Sequence, residues 1–534
     1  MAEAVRGARD RFAAPGRGAY PQPRQASEPH HTMDNPHPTS RPPRRHGSLR
    51  RPIPMGRRCT LALAGALSAL VLLVAAAPAS AYTTQYSFTV TGHGWGHGIG
   101  LSQWGAYGYA KHGWKYKAIL KHYYSGISFI DAGNPIVRVN LRSDKSAYEV
   151  TCANAYTAAG GGAEVSIPAG TTAKTTYSGG AYHVVAGSVS QDFSSAVTFT
   201  ASSGLMKLLT KTDLGDDGAY RGVVRIARVD AKLMMINHVP LESYLRGVVP
   251  HEVSYSWPVE ALKTQACAAR AYSLASLQPS KGWDVYCDVR DQAYAGAGIE
   301  KDQTDAAVKA TAGVTPSYGG KAISAFYFSC SGGRTENIEH AWPGASKIAY
   351  LKGVADPYDK YASLHDWGPL KRTPSQLGKP LGAKGSLRAV YTVKRGTSPR
   401  IVKAAVIGSD GTKYVDGNTI RAKLGLNSTW AIFTSMSISP AARDDASVAA
   451  GAGITLKGRI YPALAEGASV YLNAYYSGKW HRSAVATTAA SESLPNGYTA
   501  KYSTYGKSVK PGVTTKYYFS SGKAKSPTTT VAVN

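Results

Sequence analysis

The stretch from Leu241 to Ser276 reads LESYLRGVVPHEVSYSWPVEALKTQACAARAYSLAS, and the rest of the chain is organised around it. It places a single carboxylate, Glu252, between two segments with helical patterning. We expect Gly247 to close the first segment, because Pro250 disfavours a helix at the residue before it and has no backbone donor of its own. The sequence therefore predicts that Glu252 lies on a turn and not on a helix face.

The second segment predicts a helix that packs closely against its neighbours. Pro258 and Glu260 mark its first turn. The residues that repeat at helical spacing along it are Leu262, Gln265, Ala266, Ala269, Tyr272 and Ser273. Because several of these side chains are small, another backbone can approach the helix.

Both segments together resemble the SpoIID/LytB family of bacterial cell-wall proteins. The resemblance is carried by LESYLRGVVPHEV followed by WPVEALKTQACAARAYSLA. The family includes sporulation lytic transglycosylases, which cut glycan strands stripped of their stem peptides, and relatives described as enhancers of wall amidases. In the enzymes the acidic residue after the VVP turn is catalytic, and it maps to Glu252 here. Gln265 and Arg270 are then expected to orient the sugar or the carboxylate, with burial as a structural partner the rival role of Arg270.

The resemblance covers about residues 86–433 and implies an α+β fold, in which a strand-rich part and several helices surround a glycan cleft. Residues 136–237 indeed alternate as short strands do. Beyond Pro440 the chain shows short alternating strands between Gly, Pro and Ser turns, which predicts a small immunoglobulin-like β-sandwich. We place the SpoIID/LytB-like domain at 82–435 and the β-sandwich module at 441–534.

The first 81 residues are predicted to be processing sequence. Residues 1–54 are rich in Pro, Arg, Gly and His without apolar periodicity, so we expect disorder there, and Met55 is a plausible true start. Residues 55–81 have the basic start, apolar run and small-residue cleavage site of a signal peptide. No later segment is long and apolar enough to span a bilayer. We therefore expect a secreted or wall-associated protein.

The chain is strongly basic, with a formal net charge of +28. In an exported protein such charge favours anionic wall polymers and peptidoglycan carboxylates as partners. Nucleic acid is the other class of partner that basic charge favours. Export and the lack of any nucleic-acid motif argue against it.

The segment from Gly92 to Ala106 reads GHGWGHGIGLSQWGA, with glycines that suit a loop passing close to other backbone. A similar block usually closes the family domain, so its position here predicts a permuted order, which compact domains tolerate. His97, Ser102 and Gln103 are candidates to hydrogen-bond a sugar. The histidines equally suit satisfaction of buried backbone groups. A metal pair of His93 and His97 is disfavoured, because no nearby ligand completes the set.

A second block, from Cys330 to Glu336, reads CSGGRTE and matches the family pattern YxSxSGGxTE. Ser329, Ser331 and Thr335 supply hydroxyls for sugar recognition there. Some relatives bind zinc through histidine and cysteine near the segment WDVYCDVRDQAYAG, but this chain has Asp291 where a second cysteine is usual. We therefore predict neither a metal nor a cofactor. The rival acids, with structural or substrate-orienting roles, are Asp356, Asp359 and Asp366.

Four cysteines follow the predicted signal peptide: Cys152, Cys267, Cys287 and Cys330. Export favours disulfides, and four cysteines allow three connectivities. Cys267 and Cys330 both replace small or aliphatic residues of the family blocks, so the resemblance implies that they are partners. A buried free thiol at Cys267 is the alternative.

These observations predict a peptidoglycan lytic transglycosylase, which cleaves between N-acetylmuramic acid and N-acetylglucosamine and leaves a 1,6-anhydro end. Such an enzyme needs one carboxylate, Glu252, whose pKa we expect to be raised by the apolar neighbours Val249, Val253 and Trp257. Two alternatives remain. One is a non-catalytic glycan-binding activator of a wall amidase, and the other is a hydrolase using water and an acid such as Asp288 or Asp366.

Overall fold

The computed structural model describes residues 82–215, 218–229 and 231–534. The predicted disordered segment 1–54 and signal peptide 55–81 lie outside these residues. The α-helices of the described chain are α1 (Gln103–Lys111), α2 (Tyr116–Tyr123), α3 (Leu241–Glu252), α4 (Val259–Ala275), α5 (Asp302–Ala310), α6 (Ile338–Ala341), α7 (Pro374–Leu381) and α8 (Gly417–Leu424). Single 3-10 turns lie at Gly296–Ile299, Asp359–Tyr361, Ala442–Asp444 and Pro495–Gly497.

Strands outnumber helices throughout the chain. Those before α3 are β1 (Gln85–His93), β2 (Leu101–Ser102), β3 (Ser128–Asp131), β4 (Ile136–Arg142), β5 (Ala147–Cys152), β6 (Tyr156–Gly160), β7 (Ala163–Ile167), β8 (Ala173–Ser178), β9 (Ala181–Ala186), β10 (Val189–Phe193), β11 (Val197–Ala201), β12 (Met206–Leu208), β13 (Ala219–Tyr220), β14 (Val223–Val229) and β15 (Lys232–Pro240). Those from α4 to residue 438 are β16 (Val285–Tyr286), β17 (Val314–Tyr318), β18 (Lys321–Ala322), β19 (Tyr327–Phe328), β20 (Asp366–Arg372), β21 (Leu387–Arg395), β22 (Ile401–Gly408), β23 (Gly411–Asp416) and β24 (Ala431–Ile438). The last group is β25 (Ser447–Val448), β26 (Ile454–Tyr461), β27 (Val470–Tyr476), β28 (Lys479–Val485), β29 (Thr487–Ser493), β30 (Thr499–Val509), β31 (Thr515–Ser521), β32 (Ala524–Lys525) and β33 (Thr529–Val533). This mixture of helix and strand confirms the α+β class.

Two sheets make up the strand-rich part ahead of α3. One runs in the order β16-β4-β15-β14-β11-β6-β7, in which the edge strand β16 comes from the chain after α4. The other runs in the order β10-β9-β8-β5-β12-β13. Their buried faces share one core with the apolar sides of α3 and α4. The long hairpin β14–β15 leads directly into α3, so the sheet fixes the position of the helix that ends at Glu252.

Helix α4 is buried on nearly all sides, as its small residues allow. Ala266 and Ala269 face the core of the strand-rich part. Ala268 and Ala271 face a second core, which α1, α2 and the segment around 323–351 complete. Because each of these side chains is a single methyl group, both layers approach the helix backbone closely. The predicted close packing is therefore confirmed.

The prediction that Glu252 lies on a turn is wrong, because α3 continues through Gly247 and Pro250 and ends at Glu252 itself. Gly247 is needed inside the helix for space: a Cβ there would lie 2.6 Å from the Tyr294 ring and 2.7 Å from the Gly296 carbonyl. Pro250 lies in the last turn of the helix, where it removes the hydrogen bond that a backbone amide would donate to the carbonyl of Arg246 without ending the helix. The glycine thus marks a close contact and not a helix end.

The sheet β20-β1-β24-β26-β30-β29 crosses the boundary that the sequence predicts after residue 435. Strand β24 pairs with β1 on one side and with β26 on the other. Its buried side chains Met436 and Ile438 share a core with the sheet β25-β33-β31-β27-β28. A further sheet, β21-β22-β23, packs with α7 and α8 beside β1. The division at 435–441 stays a prediction, and the two segments are joined by continuous strand pairing.

Two polar side chains fix the N-terminus of helix α8. Its N-cap is Asp416, whose carboxylate accepts a hydrogen bond from the Thr419 amide at 3.0 Å. Asn418 lies inside the helix and donates to the carbonyl of Ala341 at 2.6 Å. Among the described residues, no helix has the length and apolar character needed to cross a bilayer.

The predicted Cys267–Cys330 disulfide is wrong, because all four cysteines after residue 81 are buried free thiols. The Cys267 thiol lies 3.7 Å from the guanidinium of Arg270 within α4. Cys330 precedes the glycines of the CSGG block, and its backbone pairs with Trp95. Burial raises the pKa of the Cys267 thiol to about 11 and that of the Cys287 and Cys330 thiols to about 12. Such thiols are protected from oxidation, because the reactive thiolate is scarcely formed.

We expect alkylation to confirm free thiols. If the chain is unfolded in denaturant with iodoacetamide and no reductant, peptides containing Cys152, Cys267, Cys287 and Cys330 should all carry the label in mass spectra. A sample reduced beforehand should give the same pattern. Labelling of Cys267 and Cys330 only after reduction would show that these two residues form a disulfide.

Candidate functional site

Glu252, the last residue of α3, is half-buried and held by neutral hydrogen-bond donors. Its Oε1 accepts from the backbone amide of Ala293 at 3.0 Å. The Nε2 of Gln103 lies 3.4 Å from its Oε2 and 3.3 Å from its backbone oxygen. The Tyr327 hydroxyl also hydrogen-bonds to the carboxylate. The site thus combines three separate parts of the chain around one carboxyl group.

Burial raises the pKa of Glu252, as the sequence predicts. The hydrogen bonds from Ala293, Tyr327 and Gln103 act in the opposite direction and do not cancel the effect of burial. All three donors are neutral, so they stabilise the carboxylate less than a cation would. A larger share of Glu252 therefore stays protonated near neutral pH than of an exposed glutamate.

Tyr327 is fixed in place by a chain of buried hydrogen bonds. Its hydroxyl accepts from the Nε2 of Gln292 at 3.0 Å. The Oε1 of Gln292 in turn accepts from the Ser273 hydroxyl at 2.8 Å and the Tyr244 hydroxyl at 3.3 Å. Burial and the nearby Glu252 carboxylate raise the pKa of Tyr327, which stays a neutral donor. These contacts tie α3, α4 and β19 into one rigid support for the carboxyl group.

The glycine-rich block at residues 92–106 contacts the segment that carries Tyr327. The Nε2 of His97 donates to the Tyr327 carbonyl at 3.0 Å, and its Nδ1 accepts from the Ile99 amide at 3.0 Å. Gly100, at a φ of +73°, passes so close to the Phe326 carbonyl that a side chain would collide with it. Strand β2 pairs in parallel with β19, setting Leu101 beside Tyr327. Of the block's predicted sugar ligands, Gln103 touches Glu252, and His97 bonds to backbone.

Ser102, Ser331 and Thr335 are buried with protein partners. Ser102 caps α1 by accepting from the Gly105 amide at 3.1 Å. The Ser331 hydroxyl donates to Asp359 at 2.8 Å, and that of Thr335 accepts from the Val354 amide at 2.8 Å. Ser329 is partly exposed, and its carbonyl accepts from the Trp104 amide at 3.0 Å. Sugar binding by these hydroxyls stays a prediction, and in the structure three of them bond within the fold.

Gln265 and Arg270 both lie on α4, but only Arg270 has hydrogen-bond partners for its side chain among the described residues. Gln265 is 2% exposed, and neither its Nε2 nor its Oε1 has a hydrogen-bond partner among the described residues. It lies one turn before Ala269, whose carbonyl accepts from Gln292 at 3.4 Å. Arg270 is fully buried and forms a two-pronged ion pair with Glu242 at 2.7 and 2.8 Å. This geometry favours the alternative role of Arg270, that of a buried structural partner.

The rival acids have partners of their own. Asp356 accepts from the Tyr123 hydroxyl at 2.8 Å, and its burial near Asp359 raises its pKa to about 7. Asp359 is bonded by the Gly332 amide at 2.6 Å as well as by Ser331. Asp366 is exposed and contacts the Nδ1 of His93 at 2.5 Å. Among the described residues, no group of three or more His, Cys, Asp or Glu side chains converges to hold a metal ion.

Sequence reasoning missed Tyr327, Gln292 and the Ala293 amide as supports of the carboxyl group. A signal for Tyr327 was available, since it alternates with Ser329 and Ser331 along an extended segment and so shares their face. Gln292 and Ala293 belong to a loop whose contact with Glu252 spans 41 positions in sequence. No local pattern predicts such a contact.

Comparisons with known proteins match this part of the chain. Residues 229–318, which include α3, α4 and α5, fit the family described as SpoIID, Stage II sporulation protein. The match thus covers the segment that contains Glu252. The matched segment contains Glu252, Gln265, Arg270 and the Ala293 amide, whereas Gln103 and Tyr327 lie outside the matched residues.

Three proteins from Bacillus species are similar to this chain. The chain is 35% identical over 213 residues to Stage II sporulation protein D of Bacillus subtilis (strain 168), covering 36% of this chain and 60% of the relative. It is 32% identical over 214 residues to the protein of that name from Bacillus amyloliquefaciens, with the same coverage. An amidase enhancer of Bacillus subtilis (strain 168) is 37% identical over 115 residues, covering 22% of this chain and 15% of the relative. The chain thus spans about 60% of the first two relatives.

Because the pKa of Glu252 is raised, we expect its ionised carboxylate to lower the free energy of unfolding. Between the ordinary pKa of glutamate and the raised one, the folded state binds more protons than the unfolded state, so the free energy of unfolding falls as pH rises. Glu252→Gln should therefore raise the unfolding midpoint at pH 8 relative to the parent, and the difference should shrink towards pH 4. Chemical denaturation across this range measures it.

The exposed Glu466 provides the control for this experiment. Glu466→Gln removes the same charge, and it should leave the unfolding midpoint nearly unchanged at both pH values. A Glu252→Gln variant that is less stable than the parent at pH 8 would contradict the prediction.

Proposed function

We propose that this protein is a secreted peptidoglycan lytic transglycosylase, in which Glu252 is the general acid and base. The observation that carries the proposal is a half-buried carboxyl group with a raised pKa, held by neutral donors within the segment that matches the SpoIID family. A carboxyl group with these properties is suited to protonate a leaving oxygen near neutral pH. Secretion rests on the signal-like sequence at 55–81.

In the proposed reaction Glu252 gives its proton to the glycosidic oxygen that leaves from C1 of N-acetylmuramic acid. The C1–O bond to N-acetylglucosamine breaks as the 6-hydroxyl of the same muramic acid attacks C1. Glu252, now a carboxylate, takes the proton of that hydroxyl and is restored. Because the nucleophile belongs to the substrate, no water has to be positioned, and geometry supplies much of the rate.

One carboxyl group suffices for this chemistry, whereas a hydrolase normally uses two. The candidates for a second acid are engaged elsewhere: Asp288 pairs with Arg290 at 2.8 Å, and Asp366 contacts His93. The Glu252 carboxylate meets an amide, a glutamine and a tyrosine instead. This arrangement favours the transglycosylase over the hydrolase using water.

Substrate binding is proposed for Gln103, which contacts the carboxyl group, and for Gln265 on α4. The buried amide of Gln265 has no partner among the described residues, and a buried polar group in that state is costly unless a ligand satisfies it. The formal charge of residues 82–534, +20, supports attraction of the exported chain to anionic wall polymers. We interpret the strands after residue 441 as an immunoglobulin-like module that accompanies the catalytic part.

A second candidate function is glycan binding without cleavage, as an activator of a wall amidase. The 37% identity to a protein named amidase enhancer favours it. The match spans only 15% of that relative, so it supports the candidate through the shared segment alone. In this case the glycan would bind beside Glu252 and leave unchanged.

Mass spectrometry of glycan products distinguishes the candidates. The chain is incubated with peptidoglycan that retains its stem peptides and with glycan strands freed of them. Products with 1,6-anhydro ends would support the transglycosylase, and products with reducing ends would support the hydrolase. Intact glycan on both substrates, together with a faster reaction of an added wall amidase, would support the activator.

A further inference from the structure

Four aromatic side chains form a cluster beside the carboxyl site. Their ring centroids are 4.9 Å apart for Trp104 and Trp257, 5.2 Å for Tyr107 and Trp257, and 5.4 Å for Trp104 and Tyr107. Tyr361 extends the cluster, with its ring 5.5 Å from that of Tyr107. These four residues are called the aromatic cluster below. Three of its ring pairs meet at interplanar angles of 61° to 72°, the edge-to-face geometry that aromatic pairs prefer.

The cluster is assembled from three separate segments that meet next to Glu252. Trp104 follows Gln103, the residue that touches the carboxylate, and Tyr107 lies one turn further along α1. Trp257 belongs to the short connection between α3 and α4, five positions after Glu252. Tyr361 ends the 3-10 turn at Asp359–Tyr361. Two of the three segments that carry the cluster therefore also carry residues of the carboxyl site, Gln103 and Glu252.

Three of these rings lie outside the hydrophobic cores of the described residues, and the fourth, Trp257, packs at the edge of the core that α3 and α4 share. Trp104, Tyr107 and Trp257 are each partly exposed, and Tyr361 is 43% exposed. Tyr109, on the same helix as Trp104 and Tyr107, is by contrast 3% exposed and belongs to a core. Trp104, Tyr107 and Tyr361 are members of no hydrophobic core formed by the described residues. A group of half-exposed rings beside a polar site typically marks a binding surface.

The chemistry of these rings indicates the class of ligand. A pyranose ring has an apolar face of C–H bonds and a rim of hydroxyls, and a tryptophan or tyrosine ring offers a flat apolar face with a polar edge. Tyrosine and tryptophan also lose little conformational freedom on binding, because each has only two side-chain torsions. Rigid rings at the edge of a carboxyl site thus fit successive sugars of a strand that passes the carboxyl group.

We propose that the aromatic cluster is a glycan subsite, which stacks on the pyranose rings of the strand next to the bond that Glu252 attacks. The inference rests on the proposed function for the position of that bond, but the stacking itself needs no cleavage. It assigns the recognition of substrate at this subsite to the sugar backbone and not to the stem peptide. A glycan freed of its peptides should therefore bind as well as one that retains them.

The test measures binding in a Glu252→Gln background, where cleavage cannot consume the ligand. Isothermal titration calorimetry is carried out on the full chain with a hexamer of N-acetylglucosamine and with peptide-free glycan strands. Adding Tyr361→Ala or Tyr107→Ala should weaken binding about tenfold, the size of effect typical of an aromatic anchor. The matched control is Tyr318→Ala: Tyr318 is 44% exposed and ends β17, and its loss should leave the affinity unchanged.

Each outcome decides the proposal. Equal affinity of parent and both tyrosine variants, or no binding of either ligand by the parent, would overturn it. Binding that depends on stem peptides and is weakened by the same variants would overturn it in favour of a peptide subsite. Binding that depends on the cluster in a wild-type chain that releases no products would keep the subsite and reject the transglycosylase. Circular dichroism of each variant excludes unfolding as the cause.

Discussion

Replacing Glu252 with glutamine should lower the rate of release of anhydro products by about a thousandfold, within the range typical of general acid and base catalysis. Glutamine keeps the shape of the side chain and can still bond to Gln103, but it has no proton to give to the leaving oxygen. The other supports of the site, the Ala293 amide and the Tyr327 hydroxyl, remain in place. The loss should therefore appear in the turnover rate and not in glycan affinity.

The measurement is quantitative mass spectrometry of anhydro ends released from peptide-free glycan, at several substrate concentrations. Glu466→Gln is the matched control, because Glu466 is exposed and its replacement removes the same charge outside the site. It should retain the wild-type rate. A Glu252→Gln variant that still cleaves would assign the reaction to another acid, and unchanged activation of an amidase by that variant would favour the second candidate function.

The pH profile should reflect the same group. Because the acid form of Glu252 starts the reaction, the rate should fall as pH rises through the raised pKa of this residue. An exposed glutamate would already have lost its proton well below that point. The profile therefore links the burial of the carboxyl group to its chemistry.

The position of the carboxyl group could be predicted from sequence, but its local conformation could not. The resemblance around Leu241 to Ser276 led directly to Glu252, and the small residues of α4 predicted that another backbone approaches this helix closely. The predicted end of α3 was wrong, because Gly247 and Pro250 usually break helices but tertiary packing outweighs that tendency here. The ring of Tyr294 occupies the space that a side chain at Gly247 would need. The sequence of the helix alone does not indicate that contact.

The supports of the site were harder to predict than the carboxyl group. Gln103 lies 149 positions from Glu252 in sequence, and the two meet only because α1 packs against α4. The hydroxyls of Ser331 and Thr335 looked available for sugar, since a sequence gives no measure of burial at a loop. In the structure they bond to Asp359 and to the Val354 amide. Candidate side chains of a site can be named from a family motif, but their contacts follow from the packing of distant segments.

Arg270 provides the second large effect, this time on stability. Its guanidinium is fully buried, pairs with Glu242 and donates to the Val314 carbonyl at 3.1 Å. Arg270→Met should lower the free energy of unfolding by about 3–5 kcal/mol, because it leaves the partly buried Glu242 carboxylate without its cation. Lys174→Met, which breaks an exposed pair with Glu149, is the control, and it should cost about 1 kcal/mol or less. Chemical denaturation measures both variants.

A double variant separates the two roles that the sequence allowed for Arg270. If the ion pair with Glu242 is the main contribution, adding Glu242→Gln to Arg270→Met should recover part of the lost stability, because the unpaired charge is then removed. The folded fraction of either variant should also bind peptide-free glycan with the parent's affinity, since the Arg270 side chain extends from α4 to Val314 and Glu242. A variant that keeps its stability but loses glycan binding would instead place Arg270 in the substrate site. The stability of α4 and the position of Glu252 depend on the same packing, so this distinction decides whether the helix supports the chemistry or takes part in it.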